Sequence, residues 1–150
     1  LFDRRLFLEL GGFDDLFLPF FAEETDLCYR AWKRGYRILY QPRAVVVHHH
    51  EEGGTIRNNF SRRTRQVQFG KNRLLFIWKN MHDPAYAALH LFNLAVRTAF
   101  SWVVADLEFY RALAGALHRW PAVKAARARE RSLAVRSDRE VFAEFWKELR

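Results

Sequence analysis

Residues 36–50 read YRILYQPRAVVVHHH, and the fold class turns on them. Ile38 to Tyr40 and Val45 to Val47 are rich in β-branched, aliphatic and aromatic side chains and are divided by Pro42. That pattern predicts two short strands or one kinked extended segment. On extended backbone alternate side chains point to opposite faces, so His48 and His50 share a face and His49 takes the other. One or two neutral imidazoles with a carboxylate nearby suit a divalent cation. Surface histidines beside Glu51 and Glu52 would look the same, and the run lacks the spaced ligand pairs of a structural zinc site.

Towards the amino terminus, Leu27, Cys28, Ala31 and Trp32 fall on one face of a helix expected over Thr25 to Arg34, with Thr25 as cap and Gly35 as stop. Glu23, Glu24 and Asp26 gather at its start, where the helix dipole favours charged carboxylates. Such a cluster is either a capped, solvated helix start or a source of a general base. Before it, a short helix from about Arg4 ends at Gly11 and Gly12, and a loop runs from Phe13 to Phe21.

Towards the carboxyl terminus, Ser61 to Asn80 is expected to be helical, with Val67, Leu74, Leu75 and Trp78 as its apolar positions. Asp83 and Pro84 form a cap and first-turn pair for an unusually apolar helix reaching about His118. Charge interrupts it too often for a membrane span, which needs about 20 continuous apolar residues. The following HRWPAVKAARARER places Trp120 beside a dense run of cations. That suits a helix lying at a lipid interface, or equally one packed on the body of a larger protein. Ser137 and Glu140 form a capping box for a last helix with Val141, Phe142, Phe145, Trp146 and Leu149 as its stripe.

With 150 residues, half of them hydrophobic, the chain can bury one ordinary core. A single cysteine, Cys28, excludes a disulfide framework and is expected to be an inert thiol. The first ten residues carry too many charges for a signal peptide, and the sequence opens inside a helical pattern without methionine, as if cut from a longer chain. Residues 1–52 hold seven Lys/Arg and nine Asp/Glu, whereas residues 53–150 hold eighteen and eight. Acid-base chemistry thus belongs to the first part, and a surface for phosphate, nucleic acid or anionic lipid to the second.

The run from Gly11 to Thr55 resembles the carboxyl-terminal half of the catalytic domain of family-2 glycosyltransferases, inverting enzymes with a GT-A fold, of the rhamnosyltransferase-like type. The carrying elements are GGFD (Gly11 to Asp14), the aromatic pair Phe20 and Phe21, the acidic element EETDL (Glu23 to Leu27), a helix closing on Gly35 and Tyr36, a strand ending at Pro42 and an apolar strand ending at His48. FGKNRLLFIWKN, Phe69 to Asn80, is similar to the family's next helix.

The resemblance implies an α/β fold, a partial GT-A domain over residues 1–82, followed by a helical region over residues 83–150 for which either the lipid interface or the packed reading stands. It implies transfer of a sugar from a nucleotide-sugar donor to a saccharide or lipid-linked acceptor by single displacement, at the cytoplasmic face of a membrane. Glu24 would be the base, with Glu23 beside it; Gly11, Gly12, Phe13, Asp14 and Asp26 would line or orient the substrate cleft; and His48 would serve a metal, Mg2+ or Mn2+. The family's nucleotide-binding half precedes the GGFD element, so the chain is expected to be a fragment, inactive alone, whose metal site is complete only with that half. The rivals are a basic helical module that binds nucleic acid, through the cluster Arg62, Arg63, Arg65, Lys71 and Arg73, or an anionic membrane surface. No nucleic acid is expected under the transferase reading.

Overall fold

The structure is a computed structural model that describes residues 2–47 and 56–148. Its elements are α1 (Arg4–Glu9), a 3-10 turn (Asp15–Phe17), α2 (Glu23–Lys33), α3 (Ile56–Asn59), α4 (Arg62–Asn80), α5 (Pro84–Val103), α6 (Leu107–His118), α7 (Trp120–Leu133) and α8 (Asp138–Glu148). No strand occurs among the described residues, so the α/β expectation and its GT-A remnant are corrected to an all-α architecture.

The correction has a physical reason. Strand propensity measures how well a side chain fits a paired, half-buried pleated surface, and it creates no partner by itself. Between Ile38 and Val47 the backbone bonds are local: Ala44 N–H donates to the Gln41 carbonyl, Val45 N–H to that of Arg43, and Arg43 N–H to Gln41 Oε1 at 3.1 Å. Tyr40 is 90% exposed and Val46 87%. His48, and with it His49 and His50, lies outside the described residues.

Local chemistry sets the helix ends. Asp3, Ser61, Asp83 and Asp106 each accept from a backbone N–H in the first turn of the helix that follows. The capping box is present: Glu140 N–H donates to Ser137 Oγ at 3.2 Å and Ser137 N–H to Glu140 Oε2 at 2.7 Å. Gly35, at φ +88°, closes α2: its N–H reaches the Trp32 carbonyl, and the Tyr36 N–H reaches that of Ala31. Two expectations fail here. Thr25 lies within α2 rather than capping it, and the long helix from Pro84 is broken at Ala105, whose φ is +52°, with Asp106 starting α6.

One hydrophobic cluster joins the early and late parts of the chain. Leu16 and Phe17 of the 3-10 turn pack with Leu74 and Leu75 of α4, Ala116 of α6 and Val123 of α7. Helix α4 is central, and Gly70 lets α6 approach closely, since a Cβ there would stand 3.0 Å from that of Ala112. A smaller cluster of Leu10, Leu27 and Ala31 seats α1 on α2. Among the described residues no helix is long and apolar enough to cross a membrane.

Candidate functional site

The acidic element sits behind an unusual turn. Phe21 (φ +74°) and Ala22 (φ +76°) are consecutive non-glycine residues in the left-handed region, immediately before Glu23. Each costs on the order of 1–2 kcal/mol and persists only where its surroundings hold it. The holder is Asn72 of α4, a fully buried side chain whose Nδ2 donates to the carbonyls of Phe17 (2.6 Å), Phe20 (2.9 Å) and Phe21 (2.8 Å). This amide nitrogen ties the aromatic loop to the central helix, and Gln68 Nε2 adds a bond to the Leu18 carbonyl at 2.8 Å. No side chain caps α2, whose first turn instead carries Glu23, Glu24 and Asp26 at the positive end of the dipole.

The three acids have different fates. Asp26 is 0% exposed and accepts from Arg30 Nε at 2.7 Å, Lys79 Nζ at 2.7 Å and Asn80 Nδ2 at 2.8 Å. It is neither a backbone cap nor open to a ligand; it is the anionic centre of a buried ion cluster. Glu23 is half-buried, and its Oε2 is shielded from solvent with no hydrogen-bond partner among the described residues. Glu24 is exposed and makes no hydrogen bond or ion pair among them. The Cys28 thiol, one turn on, is pushed up by burial and by the Glu24 charge, which keeps it unreactive.

Gly11 to Asp14 is held against the same cluster. The Arg30 guanidinium donates to the Leu10 carbonyl and, at 2.6 Å, to that of Gly12. Gly11 and Gly12, at φ +81° and +65°, supply the backbone this reversal requires. Lys79 Nζ bonds Asp14 Oδ2 at 2.8 Å while holding Asp26, and lies 5.3 Å from the centre of the Phe17 ring. Burial alone would raise the Asp14 pKa, but Lys79, the Leu16 N–H and Arg129 together outweigh it and hold the carboxyl below its ordinary value of 3.8. Asp14 is therefore ionised at neutral pH.

On the outer side of this loop lies an open depression of about 310 Å3, lined by Gly11, Phe13, Asp14, Arg30 and Arg129, among others. Phe13 is about half exposed and rests edge-on against Phe7, with ring centres 5.5 Å apart. An exposed ring beside a fixed carboxylate and a guanidinium can stack on the apolar face of a pyranose while binding its hydroxyls. Glu23 and Glu24 do not line this depression. The structure thus gathers Gly11, Gly12, Phe13, Asp14 and Asp26 around Arg30 and Lys79, and leaves Glu23 and Glu24 at the head of α2.

The metal expectation was placed on His48, which lies outside the described residues. Among the described residues no three His, Cys, Asp or Glu side chains form a group able to hold an ion. The two carboxylates that do converge, Asp14 and Asp26, are already bridged by the Lys79 ammonium. Sequence reasoning missed Lys79 and Asn72, which lie in a helix that reads as a cationic amphipathic run. It also missed Asp138, which is buried and accepts from Tyr29 Oη (2.7 Å), Lys33 Nζ (2.8 Å) and the backbone N–H groups of His82 and Asp83 (both 2.6 Å). Compared with known proteins, the chain matches no family model, no curated protein and no solved structure.

Proposed function

We propose that the chain supplies the acceptor side and the proton-accepting carboxylates of an inverting sugar transfer from a nucleotide-sugar donor. The observation that carries the reading is the sorting of the three acids. Asp26 is consumed by Lys79, Arg30 and Asn80, whereas Glu23 and Glu24, fixed behind a strained and anchored turn, keep oxygens without partners among the described residues. Strained backbone next to unpaired carboxylates is the arrangement expected where a group must be ready rather than satisfied.

In the proposed reaction the acceptor ring rests near the Gly11–Asp14 loop and extends to the head of α2, where its hydroxyl attacks the anomeric carbon as the bond to the nucleoside diphosphate breaks. Glu24 takes the hydroxyl proton, and the bonding pair of the broken C–O bond leaves with the diphosphate. Phe13 and Asp14 orient the acceptor ring.

Saccharide binding followed by amide NMR on the labelled chain tests the reading. Short saccharides and glycolipid headgroups titrated to millimolar concentration should shift the signals of Gly11 to Asp14 and of the first turn of α2, and Phe13→Ala should abolish the response. If no member of the panel perturbs those residues, or if Phe13→Ala responds like the parent, the reading is wrong.

A further inference from the structure

Helix α5 leaves a long apolar surface uncovered. Its inner side is engaged: His90 Nε2 accepts from Trp78 Nε1 at 2.9 Å, Leu94 packs on the main cluster, the Thr98 carbonyl accepts from Tyr110 Oη, and Ser101 is buried. On the other side Leu89, Phe92, Val96, Phe100 and Val103, spaced three and four apart, are all exposed. They form a stripe about 21 Å long at 1.5 Å per residue. Just past its end Val104 and Leu107 are exposed too, and beside it Trp102 is 80% exposed. Arg97 is the one Lys, Arg, Asp or Glu within α5, and it is turned aside: its guanidinium pairs with Asp106 and lies 5.3 Å from the Phe109 ring centre on α6. A charge-free apolar stripe of this length on a folded surface marks a contact with something apolar.

Charge selects the occupant. The groove beside α5 is bordered by Arg73 and Arg97, and at the start of α6 Arg63 and Arg111 share Glu108, so four arginines stand beside two carboxylates, Asp106 and Glu108, among the described residues. A second copy of this chain, itself carrying a net charge of +8, would set the same arginines against each other. An anionic lipid surface satisfies both features. The stripe and the Trp102 ring enter the boundary between headgroups and acyl chains, and the arginines meet lipid phosphates. We propose that α5 lies flat on an anionic membrane with Leu89, Phe92, Val96, Phe100 and Val103 downward. The proposal is independent of the sugar-transfer reading, since it uses a different face and none of its residues.

Co-sedimentation with phosphatidylcholine vesicles, with and without about 30% phosphatidylglycerol, tests it. The protein should partition at least about tenfold better onto the anionic vesicles, less so as salt rises. The triple variant Phe92→Glu, Val96→Glu, Phe100→Glu should bind about 100-fold more weakly with unchanged circular dichroism, because the altered positions face outward. Lipid-borne bromine quenching measured on the parent and on Trp102→Phe provides a second reading that does not depend on the triple variant folding; the parent should lose an emission component that Trp102→Phe lacks. The proposal is overturned if the parent stays in the supernatant with both vesicle types, if the folded triple variant binds as well as the parent, if Trp102 emission is not quenched, or if light scattering shows a dimer that the triple variant abolishes without any vesicle binding.

Discussion

Asp26 and Glu24 stand two residues apart and are predicted to answer substitution in opposite ways. Asp26→Asn strands the buried Lys79 ammonium between a neutral amide and Asp14, and should lower unfolding free energy by about 3–5 kcal/mol in urea titrations. Glu24→Gln touches no partner and should leave that free energy within about 0.5 kcal/mol of the parent. If Glu24 takes the acceptor proton, the same change should lower sugar transfer by about 100-fold or more while sparing saccharide affinity. The sequence located the acids but not the burial of Asp26 in an ion cluster. Asp26 meets Lys79 across 53 positions, a pairing that no spacing within one helix encodes. Lys79 itself reads as one more cation on a solvated face, because burial of a lysine depends on partners that only the fold assembles.

Among the elements, the helices were legible and the expected strands did not form among the described residues, for a common reason. Helix ends are written locally, in Ser61, Asp83, Ser137 with Glu140, and Gly35, so their signals survive without tertiary context. A strand needs a neighbour, and the residues from Ile38 to Val47 have the side chains without the neighbour. The break between α5 and α6 was hidden because apolar residues continue through Val103, Val104 and Ala105, and only the backbone at Ala105 turns. Strain at the head of α2 leads to a prediction at this scale. Ala22→Gly, which admits φ +76° without a Cβ clash, should raise stability by about 1 kcal/mol in thermal melts, whereas Gly35→Ala, which installs a Cβ at φ +88°, should lower it by a similar amount. Asn72→Ala should exceed both, costing about 3 kcal/mol, since three carbonyls lose their donor together.

The whole molecule is held shut by Asp138, which binds the end of α2 through Tyr29 and Lys33 and the start of α5 through the amides of His82 and Asp83. Burial would raise its pKa, but Lys33, Tyr29 and the Asp83 amide hold the carboxyl below its ordinary 3.8. That contribution to stability is complete above pH 3.8 and is lost as pH falls through the lower folded value. His82 acts in the same sense earlier. Burial, then the charges of Lys33 and Arg127, depress its pKa below 6.5 against the hydrogen bond to the Lys79 carbonyl, so stability begins to fall once pH drops past 6.5. Denaturation midpoints measured from pH 8 to pH 2 should therefore decline in two stages. Asp138→Asn should be less stable by about 3 kcal/mol at pH 7 and should lose part of the lower stage, Asp14, which is also held below 3.8, keeping the rest.

The bond from Tyr29 to Asp138 closes a loop of 109 positions. A ribosome delivers residues in order, at about 5–20 per second, so α2 is made several seconds before its anchor exists. Throughout that interval the Lys33 ammonium has water rather than Asp138 as its partner, and the early helices cannot reach their final lock. A nascent chain arrested before Asp138 should accordingly be digested by added protease well within α2, and extension by a dozen or so residues beyond it, once clear of the exit tunnel, should bring abrupt resistance.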